Sequence, residues 1–258
     1  MIFYKLNFLN SLWDDLEEML KTHYVNEEDS DIVISLGTYL HESIDDIRLK
    51  FPGKKIIVYQ LEQLVENHWW TKEEIIDNIK NADEVWDYDL ENIEILKLNK
   101  IEAKFVPIKY TESLKKIKNK EFPDIDVLFY GTLTPRRYNI IFNMINRDYY
   151  YGNINFVYLF NFDSSKLDDY ISRSKIILNI HPHDCHRQEQ VRIYYPLIND
   201  KCIISETSSI NYFGDLILER DPEYFRNTIF YYLHNDLWKT EFGNVSQKFK
   251  NFKGLYTK

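Results

Sequence analysis

The sequence predicts an α/β protein made of two Rossmann-like domains whose parallel sheets face a central cleft. Three observations carry that prediction. Short β-branched runs alternate with helical patterns of roughly ten residues. The alternation stops once, at a lysine-rich stretch, and then restarts. No internal repeat or low-complexity tract points to a different architecture. The reading places a first domain over residues 1–112, a linker over 113–123 and a second domain over 124–258.

In the first half, Ser11 to Thr22 sets Leu12, Leu16, Met19 and Leu20 on one stripe, with Ser11 in the N-cap position. Asp31 to Ser35 is a compact strand leading into Leu36-Gly37-Thr38, and Lys54 to Tyr59 is a second strand leading into Gln60-Leu61-Glu62-Gln63. Thr71 to Glu74 reads as a capping box that opens a helix running to Ile79. Glu84 to Trp86 is a short strand, Leu90 to Leu98 an amphipathic helix, and Ala103 to Val106 a strand closed by Pro107. From Ser113 to Pro123, Lys115, Lys116, Lys118 and Lys120 mark a solvated linker.

The second half repeats the pattern. Asp126 to Tyr130, Asn155 to Leu159, Lys175 to Ile180 and Lys201 to Ile204 read as strands. Helices follow Pro135 and cover Asp163 to Ser172, Glu189 to Ile198 and Pro222 to Leu233.

The formal net charge of −9 excludes a general phosphate-backbone binder, so no nucleic-acid partner is expected. One local basic pocket for a diphosphate is compatible with it. Cys185 and Cys202 cannot make a disulfide framework and form no CxxC pair, which suits a reducing, cytoplasmic compartment. The start of the chain has neither a basic opening nor a long apolar run, and no stretch approaches the ~18 apolar residues a membrane span needs. Neither a signal peptide nor a transmembrane segment is expected. The 20 Tyr and 16 Phe offer flat apolar faces for sugars and bases, although frequent Lys, Asn, Ile and Tyr also fit an A/T-rich coding bias.

In parallel sheets ligands sit beyond the C-terminal strand ends, and four such ends stand out. Gly131 to Arg137 follows the strand ending at Tyr130. Its glycine permits close backbone approach, the next helix offers N–H groups, and Thr132, Arg136 and Arg137 add polar contacts for a phosphate. His181 to His186 places His181, His183, Cys185 and His186 after Ile180. No distant ligand completes a tetrahedral set, so no metal is expected and His181 is read as a polar contact for a ligand. Arg187, Glu189 and Arg192 lead into a helix, with Glu189 and Arg192 on nearly one face. Ser205 and Glu206 follow Ile204 and can accept bonds from a sugar or cap the next segment. In the first half, Gly37, Thr38 and Gln63 are the acceptor-side candidates, and His68-Trp69-Trp70 is a candidate stacking surface.

The order of these pieces resembles the GT-B glycosyltransferases. More narrowly, it resembles compact family-1-like members of the spore-maturation type and related viral glycosyltransferases. The resemblance runs through VYQLEQL at 58–64, VWDYDLENIEILK at 85–97, AKFVPIKY at 103–110 and DVLFYGTLTPRR at 126–137. Its most specific block is KIILNIHPHDCHRQEQVRIYYPLINDKCIISE at 175–206. It implies a metal-independent transferase with a nucleotide sugar as co-substrate and no further cofactor. Gly131 and Arg136 would face the donor phosphates, Glu189 and Arg192 the ribose or diphosphate, and Glu206 the ribose or sugar. The acceptor would be a glycan, a protein or a small molecule.

Two departures from the family pattern stand out. Retaining members carry two glutamates eight positions apart, whereas Glu189 and Glu206 are seventeen apart, with Tyr194, Tyr195 and Pro196 between. Asn199-Asp200 replaces a glycine before the next strand. An inverting reaction needs a base from the first domain: Glu62 is the first choice, His41 or Glu42 the next. The rival readings are a noncatalytic nucleotide-sugar-binding protein and another nucleotide-sugar enzyme such as an epimerase.

Overall fold

The computed structural model describes residues 1–6, 10–26, 30–65, 71–146, 154–160 and 166–254. The chain forms two compact units, Met1–Lys109 and Tyr110–Lys258, and each holds a five-stranded, all-parallel sheet.

The first sheet contains β1 (Ile2–Lys5), β2 (Ile32–Leu36), β3 (Lys55–Gln60), β4 (Glu84–Asp87) and β5 (Ala103–Phe105), side by side in chain order. Val33 lies beside Ile56, and Val58 beside Val85. These four pack against Ile44 and Ile47 of α2 (Ile44–Lys50), Ile75 and Ile79 of α3 (Lys72–Ile79), and Leu96 of α4 (Leu90–Leu98). The alternate residues Ile34, Ile57 and Tyr59 are buried too. A strand covered on both faces is apolar at most positions, which is why β2 and β3 read as near-continuous apolar runs. At Thr71 the capping box forms as expected: its hydroxyl accepts from the Glu74 N–H, and the Glu74 carboxylate accepts from the Thr71 N–H at 2.8 Å. Ser43 and Asp46 make a second box that opens α2. The first helix, α1 (Asn10–His23), begins one residue before Ser11, so Ser11 lies within its first turn and not at the N-cap.

The second sheet contains β6 (Ile125–Tyr130), β7 (Phe156–Leu159), β8 (Ser174–Asn179), β9 (Cys202–Glu206) and β10 (Leu218–Arg220), in the spatial order β10-β9-β8-β6-β7. The helices are α5 (Pro135–Asn146), α6 (Leu167–Arg173), α7 (Gln190–Ile198), α8 (Phe225–His234), α9 (Leu237–Thr240) and α10 (Val245–Asn251). From β6 the chain runs to β7 on one side. It then returns past β6 and builds β8, β9 and β10 on the other. Strand order therefore reverses between β6 and β8, and a crevice opens at the C-terminal ends of strands where such a reversal occurs.

The lysine-rich stretch belongs to this second unit. Leu114 is buried, the Lys116 and Ile117 N–H groups donate to Asn199 Oδ1, and the Lys120 N–H donates to the Ser172 carbonyl. Asn199 and Asp200 close α7 without a glycine. Asp200 takes the left-handed conformation (φ 57°) that ends α7, a role an Asp tolerates. Its carboxylate accepts the Ser246 N–H and pairs with Lys115. Among the described residues no helix is long and apolar enough to cross a membrane.

Candidate functional site

The loops after β6, β8 and β9 converge at the reversal point, and α5 carries Arg136 and Arg137 into it. Arg136 grips Glu206 with both terminal nitrogens. Its Nη1 lies 2.8 Å from Glu206 Oε2 and 3.0 Å from the His181 carbonyl, and its Nε donates to Asp184. Glu206 is buried, and its hydrogen bonds to Arg136 hold that guanidinium above its ordinary pKa. Asp184 is 85% exposed at its side chain and lies beneath the usual carboxylate range because Arg136 donates to it.

Among the described residues Arg137 is the largest fully buried side chain, at 1% exposure. It donates to the Ile180 carbonyl (2.8 Å), the Thr132 carbonyl (2.8 Å) and Glu189 Oε2 (2.6 Å), and its guanidinium lies over the Phe129 ring. Burial pulls its pKa down to about 10. Glu189 also contacts Arg192 Nε at 3.0 Å, the i,i+3 pairing expected from their spacing. Burial pushes the Glu189 carboxyl up, but the charges of Arg137 and Arg192 outweigh it and hold the group below its ordinary value.

Gly131 serves this cluster in an unexpected way. Its φ is +122°, and a Cβ there would run into the Arg192 guanidinium, which donates to the Tyr130 carbonyl. The space left by the missing side chain is thus filled by Arg192. His181 is fully buried. Its backbone N–H donates to Glu206 Oε2 at 3.0 Å, its Nε2 lies 3.3 Å from Ser208 Oγ, and burial lowers its pKa. Ser205 is buried and receives Asn179 Nδ2 at 3.0 Å, while Arg187 is buried and Thr132 is exposed. Tyr194, Tyr195 and Pro196 of α7 are all buried.

Of the sequence candidates, the structure gathers Gly131, Arg136, Arg137, His181, Glu189, Arg192 and Glu206. Asp184 and His186 join them. Asp184 was the residue sequence reasoning passed over, and its partner Arg136 lies 48 positions away. His181, His186 and Glu206 each offer one ligand atom, all within 4.8 Å of one another.

In the first unit the strand ends carry a different arrangement. Gln60, Asp87, Asp89 and Asn92 are fully buried. Asp87 Oδ2 accepts from Gln60 Nε2 and Asn92 Nδ2, both at 3.0 Å, and Asp87 Oδ1 accepts the Asp89 N–H. Gln60 and Asn92 then hold the Glu62 backbone: its N–H donates to Gln60 Oε1, and its carbonyl accepts from both amides. Asp89 caps α4 through the Glu91 and Asn92 N–H groups. The D-x-D run ahead of Leu90 was the signal for this network. Thr38 is buried against Ser35 Oγ, and Gln63 is buried. At Gly37 a Cβ would meet the Trp13 ring at 2.8 Å, so its space is taken by core packing. His41 is exposed, and Glu42 pairs with Lys50 and accepts from Tyr4 Oη. His68, Trp69 and Trp70 lie outside the described residues.

No protein-family model matches the chain. No curated protein matches it in sequence. Among solved structures it is similar to a "Glycosylation Associate Protein (Gap123) complex" from Streptococcus agalactiae, at 9% identity and a TM-score of 0.43. That likeness covers 94% of this chain and 58% of the other. It is also similar to a trehalose-6-phosphate phosphatase N-terminal domain from Candida albicans, at 12% identity and a TM-score of 0.48, covering 94% of this chain and 72% of the other. At these scores neither neighbour assigns a function.

Proposed function

We propose that the protein transfers a sugar from a nucleotide-sugar donor to an acceptor hydroxyl, without a metal in the reaction. The supporting observation is the gathering of Arg136, Arg137 and Arg192 with Glu189 and Glu206 at the reversal point of the second sheet. In such a reaction negative charge builds on the departing diphosphate, and preorganised cations aimed at it lower the barrier. Arg136 is the group best placed to exchange partners, because Asp184 is exposed and easily displaced from it. Arg137 is held by two carbonyls and Glu189, and its role is to fix Glu189. Glu189 and Glu206 are acceptors for sugar or ribose hydroxyls. Gly37, Thr38, Gln63 and Glu62 are assigned to the acceptor side, with Glu62 as the base. The Gln60–Asn92 clamp on the Glu62 backbone supports that choice.

The test is thermal melting against UDP, GDP, ADP and TDP, followed by incubation with the matching nucleotide sugars. One diphosphate is expected to raise the melting temperature, and EDTA is expected to leave transfer intact. Arg192→Ala should weaken diphosphate binding by about 1–3 kcal/mol. No shift with any of the four would sink the donor site. Binding without turnover would favour a noncatalytic receptor, and an epimerised donor would move the chain to another enzyme class.

A further inference from the structure

We infer that the chain binds a transition-metal ion of the Zn²⁺ class through His181, His186 and Glu206, at the mouth of β8 and β9. This site shares Glu206 and Arg136 with the proposed donor pocket, but it is tested with Zn²⁺ alone and so stands or falls separately from the sugar-transfer reading. One ligand atom from each residue lies within 4.8 Å of the other two. Two ring nitrogens and one carboxylate oxygen suit Zn²⁺, with a fourth position for water.

The second observation is His181 itself. The side chain is fully buried, and its Nδ1 makes no hydrogen bond among the described residues. That nitrogen lies 3.8 Å from Glu206 Oε2. The distance is too long for a hydrogen bond, and a buried ring nitrogen left without a partner is costly. Two ligands about 2.1 Å from a tetrahedral ion sit about 3.4 Å apart. A small inward movement of His181 or Glu206 therefore lets one ion satisfy both. His186 closes the set from the surface. Its backbone is pinned, since its carbonyl accepts the Ser209 N–H at 2.7 Å and Ser209 Oγ at 3.2 Å, while its side chain is exposed and can turn inward.

Glu206 takes the ion by exchange of partners. A carboxylate offers about four lone-pair positions. Arg136 takes one on each oxygen, and the His181 backbone N–H takes a second on Oε2. An ion held between Oε2 and His181 Nδ1 takes the position that Arg136 Nη1 occupies on that oxygen. Arg136 is thus the competitor of the metal for Glu206, with Asp184 keeping the guanidinium paired when the ion binds.

The experiment is titration of the metal-free full chain with Zn²⁺ alone, followed by calorimetry. One ion per chain is expected. Loss of a metal's outer-shell support costs ten- to a hundredfold in affinity, so loss of a ligand in His186→Ala should lower affinity at least about tenfold. His183→Ala, on the same loop but outside the group, should bind as the wild type does. Arg136→Gln should bind more tightly, because the competing charge is gone. His186 is exposed, and equal melting temperatures of the metal-free proteins verify that the variants fold. The site is overturned by an absence of saturable Zn²⁺ binding, by unchanged affinity in His186→Ala, or by equal losses in the two histidine variants. Unchanged or weaker binding in Arg136→Gln overturns the competition at Glu206.

Discussion

In the first sheet the strands stand in chain order, and none of the described connections doubles back. In the second, β6 and β8 are neighbours, and the connections that leave them lead to opposite edges. The strand ends differ in the same sense. Around Asp87 in the first unit, neutral amides and backbone N–H groups surround one buried carboxylate. Around Glu189 and Glu206 in the second, guanidinium groups alternate with carboxylates, and one partner, Asp184, is exposed. Both sheets come from the same local signal of apolar runs and amphipathic helices. Strand order, a nonlocal property, decides which one has the reversal point at which parallel sheets bind ligands.

The contrast between an ion-paired and an amide-bonded crown predicts unequal costs. Arg137→Met leaves Glu189 with one fewer charge partner and strips two carbonyls of their donor. Breaking a buried pair from one side costs about 3–5 kcal/mol. Asp87→Asn keeps the shape and sets an amide N–H₂ against groups that already donate, at about 1–3 kcal/mol. Urea unfolding of the two variants measures both. Equal losses would break the distinction.

The opposite ends of the sheets sharpen it. Lys55 opens β3 with its ammonium half-exposed and paired with Glu84. Lys201, just before β9, is buried with its ammonium 2.8 Å from the Ser174 carbonyl, and burial pulls its pKa down to about 8. An unfolded lysine titrates near ~10.4. Between those values the unfolded chain binds more protons, so stability rises with pH by up to about tenfold in the folding equilibrium per unit. Below about pH 8 both states are protonated and the penalty of the buried charge is constant. Lys201→Met should flatten the rise between about pH 8 and 10.4, relative to wild type, in unfolding measured across that range. An unchanged slope would mean that Lys201 keeps its ordinary pKa.

Much of this was legible locally. Thr71 to Glu74 specifies its own cap, and Leu90 to Leu98 its own helix, because the partners lie within one or two turns. β1 and β10 were not read from the sequence, although β4 and β5 of the same lengths were. The Ser43–Asp46 box ahead of α2 was visible as S-x-x-D and was missed. At the site, the charged residue types at the strand ends were readable, but their pairing was not. Arg137 meets Glu189 across 52 positions and Arg136 meets Glu206 across 70, distances that only the β6–β8 reversal closes. The histidines after Ile180 looked incomplete as ligands for the same reason: Glu206 joins them only through the β8–β9 pairing.

Glycine gives the finest comparison. Gly53 in the first unit has φ +75° and nothing near its missing Cβ, so Gly53→Ala carries only the left-handed backbone cost of about 1–2 kcal/mol. Gly131 has φ +122°, and its missing Cβ is where the Arg192 guanidinium lies. Gly131→Ala carries a comparable backbone cost, about 1–3 kcal/mol, and in addition moves Arg192 away from the Tyr130 carbonyl. Gly131→Ala should therefore be the less stable of the two in urea unfolding, by about the 1.5–3 kcal/mol of a charged hydrogen bond, and the two should differ clearly in ligand binding. Diphosphate affinity should fall in Gly131→Ala to the level of Arg192→Ala, and hold at the wild-type value in Gly53→Ala. If Gly131→Ala binds as well as wild type, Arg192 either relocates at no cost or contributes nothing to the diphosphate. The double variant Gly131→Ala/Arg192→Ala separates the two: binding as tight as in wild type removes Arg192 from the site, whereas weaker binding leaves it there as a contact made from more than one rotamer.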